Sequence, residues 1–290
     1  MVAQGWNAFA PTVWRTAHAM KNIALTFDEP EPIDAGPALV AHRLAGRSTR
    51  LVVSLAGVGM RRGSTPPLEF IGTASDGGKN HVLFISDARR SWLNGPGVTE
   101  GIIDLVERYR KTHGITETIL LGNSMGGFAA LVLADLIAVD TVIAFAPQFS
   151  VHPDIVPEET RWSFHISRIK NWVYDDVGAL DRPNTAYFLF HDEHPWEARH
   201  WLRFPWHARL NHFILSGLAH EVASRLQKRR MLAQVVHHAI EQRPRVLRHK
   251  LERSVFGRRF NVLRREDYHR KYPDMCLQRL QESDREEDRK

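Results

Sequence analysis

The sequence predicts an α/β fold: a mostly parallel sheet with helices on both faces, and a small insertion after the strand ending near residue 146. Three observations predict it. Short, continuous apolar runs rich in Val, Ile, Leu and Phe recur along the chain. Segments with helical spacing of apolar residues separate them. Glycine or polar turns stand where one becomes the other. A strand covered on both faces has no polar side, so it reads as an unbroken apolar run rather than an alternation. Strands separated by helices imply parallel neighbours.

Taken in order, ALVAHRLAG follows the turn-rich DEPEPIDAGP and reads as an early strand. RLVVSLAGVGM is a buried strand that ends in a tight glycine loop. HVLFISD, 81–87, is another strand. GVTEGIIDLVERYRKTHG places apolar residues at 102, 103, 105, 106 and 109 and stops at Gly114, which fits one helix. TETILLG is a strand, FAALVLADLI a buried helix and DTVIAFAP a strand. The aromatic-rich interval 148–182 breaks the alternation and reads as a lid insertion, with Trp162 as a candidate substrate contact. NTAYFLFHDE and LNHFILSG are two more strands, and EVASRLQKRRMLAQVVHHAIEQ reads as one long helix. The expected organisation is a domain over 1–242 and a basic extension over 243–290.

Composition bounds the function. Of 290 residues, 43% are hydrophobic and 25% charged, as in a globular protein with a sizeable core. No apolar run approaches the roughly 18 residues of a membrane span, and the N-terminus has no secretory pattern. The single cysteine, Cys276, excludes an internal disulfide framework or a multi-cysteine metal site. A cytoplasmic location is the expectation. The net charge of +6 belongs to residues 243–290, which hold 15 Lys and Arg against 9 Asp and Glu. Arguments about partners from charge are therefore confined to that tail. Leu247, Leu251 and Val255 recur there at helical spacing, beside Phe256, Phe260 and many arginines. Over 243–271 this composition suits peripheral contact with an anionic membrane better than contact with nucleic acid.

The chemistry-bearing stretch is GNSMGG, 122–127, between a strand and a helix. A serine hydroxyl is a poor nucleophile unless a base removes its proton and the backbone presents it to substrate. A sharp strand-to-helix turn supplies the presentation, and Gly122 and Gly126 on either side of Ser124 leave room for it. A helix-packing role suits Gly127.

This stretch resembles the nucleophile elbow of the α/β-hydrolase superfamily, and the resemblance extends over roughly residues 38–242. It implies a chain order of serine, then an acid after a later strand, then a histidine after the last strand. His220, in the loop after HFILS, matches the histidine position. Asp192, just past YFLFH, is the first choice for the acid, and Glu197 is the alternative. The acid's role would be to fix the imidazole tautomer and stabilise its charged form. The oxyanion donors implied are the backbone N–H of Met125 and that of Val58, with Gly57 next. The resemblance implies ester or thioester substrates, hydrolysis or acyl transfer, and no cofactor.

Other constellations weigh less. His191, Asp192, His194, Glu197 and His200 are spaced like metal ligands, but the stretch already serves as a strand-end loop, so no metal is expected. Arg89 and Arg90, at the end of another strand, are candidates to meet an anionic group of a substrate. No phosphate loop is present, because GNSMGG lacks the following Lys-Ser/Thr. The competing expectation from another class is a non-catalytic scaffold of the same fold, acting as an accessory in surface-polysaccharide synthesis or export and recruited by the basic tail.

Overall fold

The computed structural model describes residues 29–59, 61, 63–205, 207–254, 257–259 and 270. The opening strands are β1 (Glu31–Ile33), β2 (Leu39–Leu44) and β3 (Arg50–Leu55), followed by α1 (Ile71–Ser75) and β4 (His81–Asp87). Next come α2 (Val98–His113), β5 (Glu117–Asn123), α3 (Met125–Leu136) and β6 (Thr141–Phe145). After the short α4 (Ser163–Ile166) the chain forms β7 (Ala186–Asp192), α5 (Pro195–Trp201) and β8 (Leu210–Leu215). The last described elements are α6 (Val222–Lys228), α7 (Leu232–Ile240), α8 (Pro244–Arg253) and β9 (Gly257–Arg259).

These strands make one sheet in the order β1-β2-β4-β3-β5-β6-β7-β8-β9. Strands β4, β3, β5, β6, β7 and β8 pair in parallel. The edges are antiparallel: β1 on β2, β2 on β4, and β9 on β8. The apolar runs follow from where the side chains go. Successive strand residues point to opposite faces. Leu51, Val53, Leu83, Ile85 and Leu120 enter one core, against α2 and α3. Val52, Val82, Phe84, Ile119 and Leu121 enter the other, against α6, α7 and α8. Each strand therefore needs apolar residues at every position.

Helix α3 is apolar all round because Met125 through Ala134 are all buried. On the opposite face Phe145, Phe190 and Phe213 stack across three neighbouring strands at centroid spacings of 4.8 and 5.3 Å.

Two expectations are corrected here. The helix read as continuous over 221–242 is two helices. The chain turns at Arg230, whose φ is 58°, so that Leu226 of α6 and Val235 of α7 both reach the same core. The boundary expected at 242 does not appear in the fold. Leu247 and Leu251 of α8 are fully buried among Leu232, Val235 and Val236, and β9 extends the sheet. The apolar stripe that α8 was expected to offer to a membrane is thus spent on its own core. Val255, Phe256 and 260–269 lie outside the described residues. Among the described residues no helix is long and apolar enough to cross a membrane.

Candidate active site

Loops that follow the carboxyl ends of the parallel strands meet at one edge of the sheet, the usual position for sites in such folds. The loop after β3 carries Ala56 to Gly59, that after β5 carries Ser124, and that after β6 carries Gln148. The first turn of α5, after β7, carries Glu197, and the loop after β8 carries His220.

Ser124 is buried, with φ 55° and ψ −119°, a conformation costly for a side chain with a Cβ. Its neighbours explain how the turn is tolerated. A Cβ added at Gly122 would lie 2.1 Å from the Gly126 carbonyl oxygen, and one at Gly126 would lie 2.0 Å from that of Leu55. The strand, turn and helix approach so closely that only glycine fits at either position. The Ser124 N–H donates to the Phe145 carbonyl at 2.8 Å, which ties the turn to β6.

His220 completes a hydrogen-bonded chain. Ser124 Oγ lies 3.0 Å from His220 Nε2, and His220 Nδ1 lies 2.9 Å from Glu197 Oε1. The consistent protonation has Nδ1–H donating to the carboxylate and Nε2 accepting from the serine hydroxyl. Burial opposes ionisation of Glu197, but hydrogen bonding and charge from His220, with the charge of Arg161, outweigh it and hold the carboxyl well below its ordinary range. Arg161 donates to the same Oε1 at 2.8 Å.

The acid expected first, Asp192, does not touch His220. It is the last residue of β7, and its carboxylate accepts from the Leu218 N–H at 2.6 Å and the His194 N–H at 2.9 Å. It ties β7 to the loop that presents His220. The imidazole's carboxylate partner is Glu197, the alternative. Pro195 opens α5 at its first position, and the helix turn carries residue 197 back over the sheet edge.

Arg90 also differs from expectation. Its buried guanidinium donates to the carbonyls of Val58, Arg61, Ser64 and Ala88, so it braces the loop after β3. Arg89 is exposed. Trp162 sits at the site, its ring centroid 6.0 Å from that of His220.

Of the expected oxyanion donors, Met125 provides the first N–H of α3, a position whose amide has no partner within the helix. Val58 is buried in the facing loop. The Gly57 N–H donates to Glu69 Oε2 at 3.3 Å. Burial pushes the Glu69 carboxyl up to about 7, against the lowering effect of hydrogen bonds from Gly57 and Asn123.

That shift has a consequence with a defined sign. Folded, the carboxyl keeps its proton to about pH 7, whereas unfolded it ionises near 4.5. Stability therefore falls as pH rises through this window. In thermal melts at pH 5 and pH 8, the wild type is expected to lose more melting temperature than Glu69→Gln. Equal losses in the two proteins would contradict the assignment.

Residues the sequence did not single out complete the surroundings. Gln148 Nε2 donates to Ser124 Oγ at 2.9 Å, and Trp92 Nε1 donates to Gln148 Oε1 at 3.2 Å, which fixes the amide orientation. Behind Glu197, Arg161 also pairs with Glu159, whose carboxyl accepts from His200 Nε2 at 2.8 Å. Burial opposes ionisation of Glu159, but these donors hold its carboxyl down at about 2. The residues once spaced like metal ligands diverge: His191 bonds the Pro147 carbonyl and His212, His200 faces Glu159, and Glu197 faces His220. Among the described residues no group of three or more His, Cys, Asp or Glu side chains is placed to hold a metal ion.

No protein-family model matches the chain, and no curated protein matches it in sequence. Solved structures do. The chain is similar to the capsule O-acetyltransferase of Neisseria meningitidis serogroup A, with a TM-score of 0.53 at 14% identity over 70% of this chain and 93% of that one. It is also similar to a lidless α/β serine hydrolase from Xanthomonas campestris, with a TM-score of 0.50 at 14% identity over 74% and 95%.

Proposed function

We propose, for a chain that has the α/β-hydrolase fold, a serine-dependent hydrolase or acyltransferase acting on a carboxylic ester or thioester. One observation carries the reading: the unbroken hydrogen-bonded chain from Ser124 through His220 to Glu197, at 3.0 and 2.9 Å. Hydroxyl, imidazole and carboxylate lie at hydrogen-bonding distances, which supports nucleophilic catalysis with the imidazole as base and the carboxylate as orienting acid.

The steps follow from the geometry. Ser124 Oγ attacks the carbonyl carbon as its proton passes to His220 Nε2. Glu197 holds the imidazole tautomer and stabilises the imidazolium, while Arg161 keeps Glu197 ionised and in place. The developing oxyanion lies against the N–H groups of Met125 and Val58. His220 then returns the proton to the leaving group, and the acyl group remains on Ser124. Gln148 holds the resting hydroxyl in line with His220 and away from other rotamers. Water, or an acceptor hydroxyl, releases the acyl group with His220 again acting as base. Acceptance by a hydroxyl draws support from the similarity to an O-acetyltransferase, and by water from the similarity to a serine hydrolase.

Trapping the acyl-enzyme tests the reading. The protein, incubated with p-nitrophenyl acetate and quenched in acid, is expected to carry an acetyl group on the peptide containing Ser124. Turnover of this and related ester and thioester substrates without any covalent species would count against it.

A further inference from the structure

A cleft of about 820 Å³ opens beside this site, and none of Ser124, His220 and Glu197 lines it. One wall is the 163–171 segment, which begins as α4, and the other is formed by 63–65 and 88–96. We propose that this cleft is a binding site for an organic phosphate or diphosphate. The inference goes beyond the acyl chemistry and does not depend on it.

Four observations converge. The cleft wall carries Arg89, Arg168 and Lys170 beside the carbonyl-bound Arg90, and among the described residues no carboxylate lines it. Three cations facing one concavity, with low-dielectric walls and no acid in the lining, create a strong positive potential. Second, Arg168 is pre-ordered: its guanidinium stacks 4.0 Å over the Phe164 ring, which reduces the freedom it would lose on gripping an anion. Third, the opposite wall is braced. Arg90 bonds the carbonyls of Arg61, Ser64 and Ala88, so the loops that form it hold one geometry. Fourth, the volume falls within the range of small-molecule sites, roughly 300–1,000 Å³. It exceeds what a bare phosphate fills, and Phe164 and Ile169 offer apolar surface to an organic body.

Compact, multiple charge favours phosphate over carboxylate, because a diphosphate concentrates two or more negative charges within the reach of three cations. Guanidinium forks match phosphate oxygens bidentately. The position is also apt. The wall that carries Phe164 and Arg168 starts at Trp162, whose ring lies 6.0 Å from that of His220. A ligand anchored in the cleft by its phosphates would extend along this wall toward the serine.

Titration calorimetry with inorganic pyrophosphate on the full chain tests the site, at fixed ionic strength. Saturable binding is expected in the wild type and equally in Ser124→Ala. The double variant Arg89→Ala/Arg168→Ala is expected to bind roughly 10- to 100-fold more weakly, the loss of two charge-assisted contacts. Both side chains are exposed, so the melting temperature should stay unchanged, and the variant retains the basic tail as an internal control. Lys170→Ala provides a second, single-charge variant with a smaller loss. Absence of saturable binding, or equal binding by wild type and double variant, would overturn the proposal. So would saturable binding of polygalacturonate, a carboxylate polymer, with pyrophosphate inert.

Discussion

Replacing Ser124 by alanine is expected to lower turnover of a responsive ester by about 10⁴- to 10⁶-fold, with the fold intact. The size follows from the step removed. Without Oγ there is no nucleophile for the carbonyl and no acyl-enzyme, and His220 can only assist water that nothing holds in place. The hydroxyl contributes little to packing, so the melting temperature should change little. His220→Ala should lose a similar amount, and the double variant little more, because the two groups act as one unit. Steady-state kinetics with a short-chain p-nitrophenyl ester measures all three. Independent, multiplying losses would mean that the serine and histidine are not parts of one device.

The second large effect separates two carboxylates. Glu197→Gln is expected to lower kcat by about 10³- to 10⁴-fold. The amide cannot hold a positive imidazolium, and its NH₂ can turn toward Nδ1 and favour the wrong tautomer. It also leaves Arg161 with only Glu159 as an ionic partner. Asp192→Asn is expected to cost about tenfold or less, because Asn retains one acceptor for the Leu218 or His194 N–H. Its cost should appear largely as a lower melting temperature. The reverse ranking would return the acid role to Asp192.

Much of this architecture was legible in the sequence because burial on both faces leaves a strong imprint. The runs LVVSL, HVLFISD and TVIAF read as strands inside a covered parallel sheet, and they are. GNSMGG was legible for a steric reason: the Cβ positions at Gly122 and Gly126 are occupied by backbone. His220 followed from its place after the last parallel strand.

What was less legible depends on side-chain direction. Asp192 and Glu197 both follow β7, and only the turn of α5 decides which one reaches the imidazole. Gln148 and Arg161 have no motif of their own; they matter because β6 ends beside β5 and because the insertion folds back over α5. Arg90 looked like a substrate ligand because an arginine at a strand end usually faces solvent. Here four backbone carbonyls of the neighbouring loops capture it. The tail misled through composition. Arg243, Arg245, Arg248 and Arg253 are exposed, but Leu247 and Leu251 complete the core under α7.

Fluorophosphonate labelling followed by peptide mass spectrometry asks most directly whether the Ser124 hydroxyl is made reactive by His220. The account predicts a single adduct on the peptide containing Ser124, formed rapidly in the wild type. It predicts slow labelling or none in His220→Ala and Glu197→Gln, and near-normal labelling in Asp192→Asn. A folded wild-type protein that takes no label, or one labelled equally fast without His220, would contradict it.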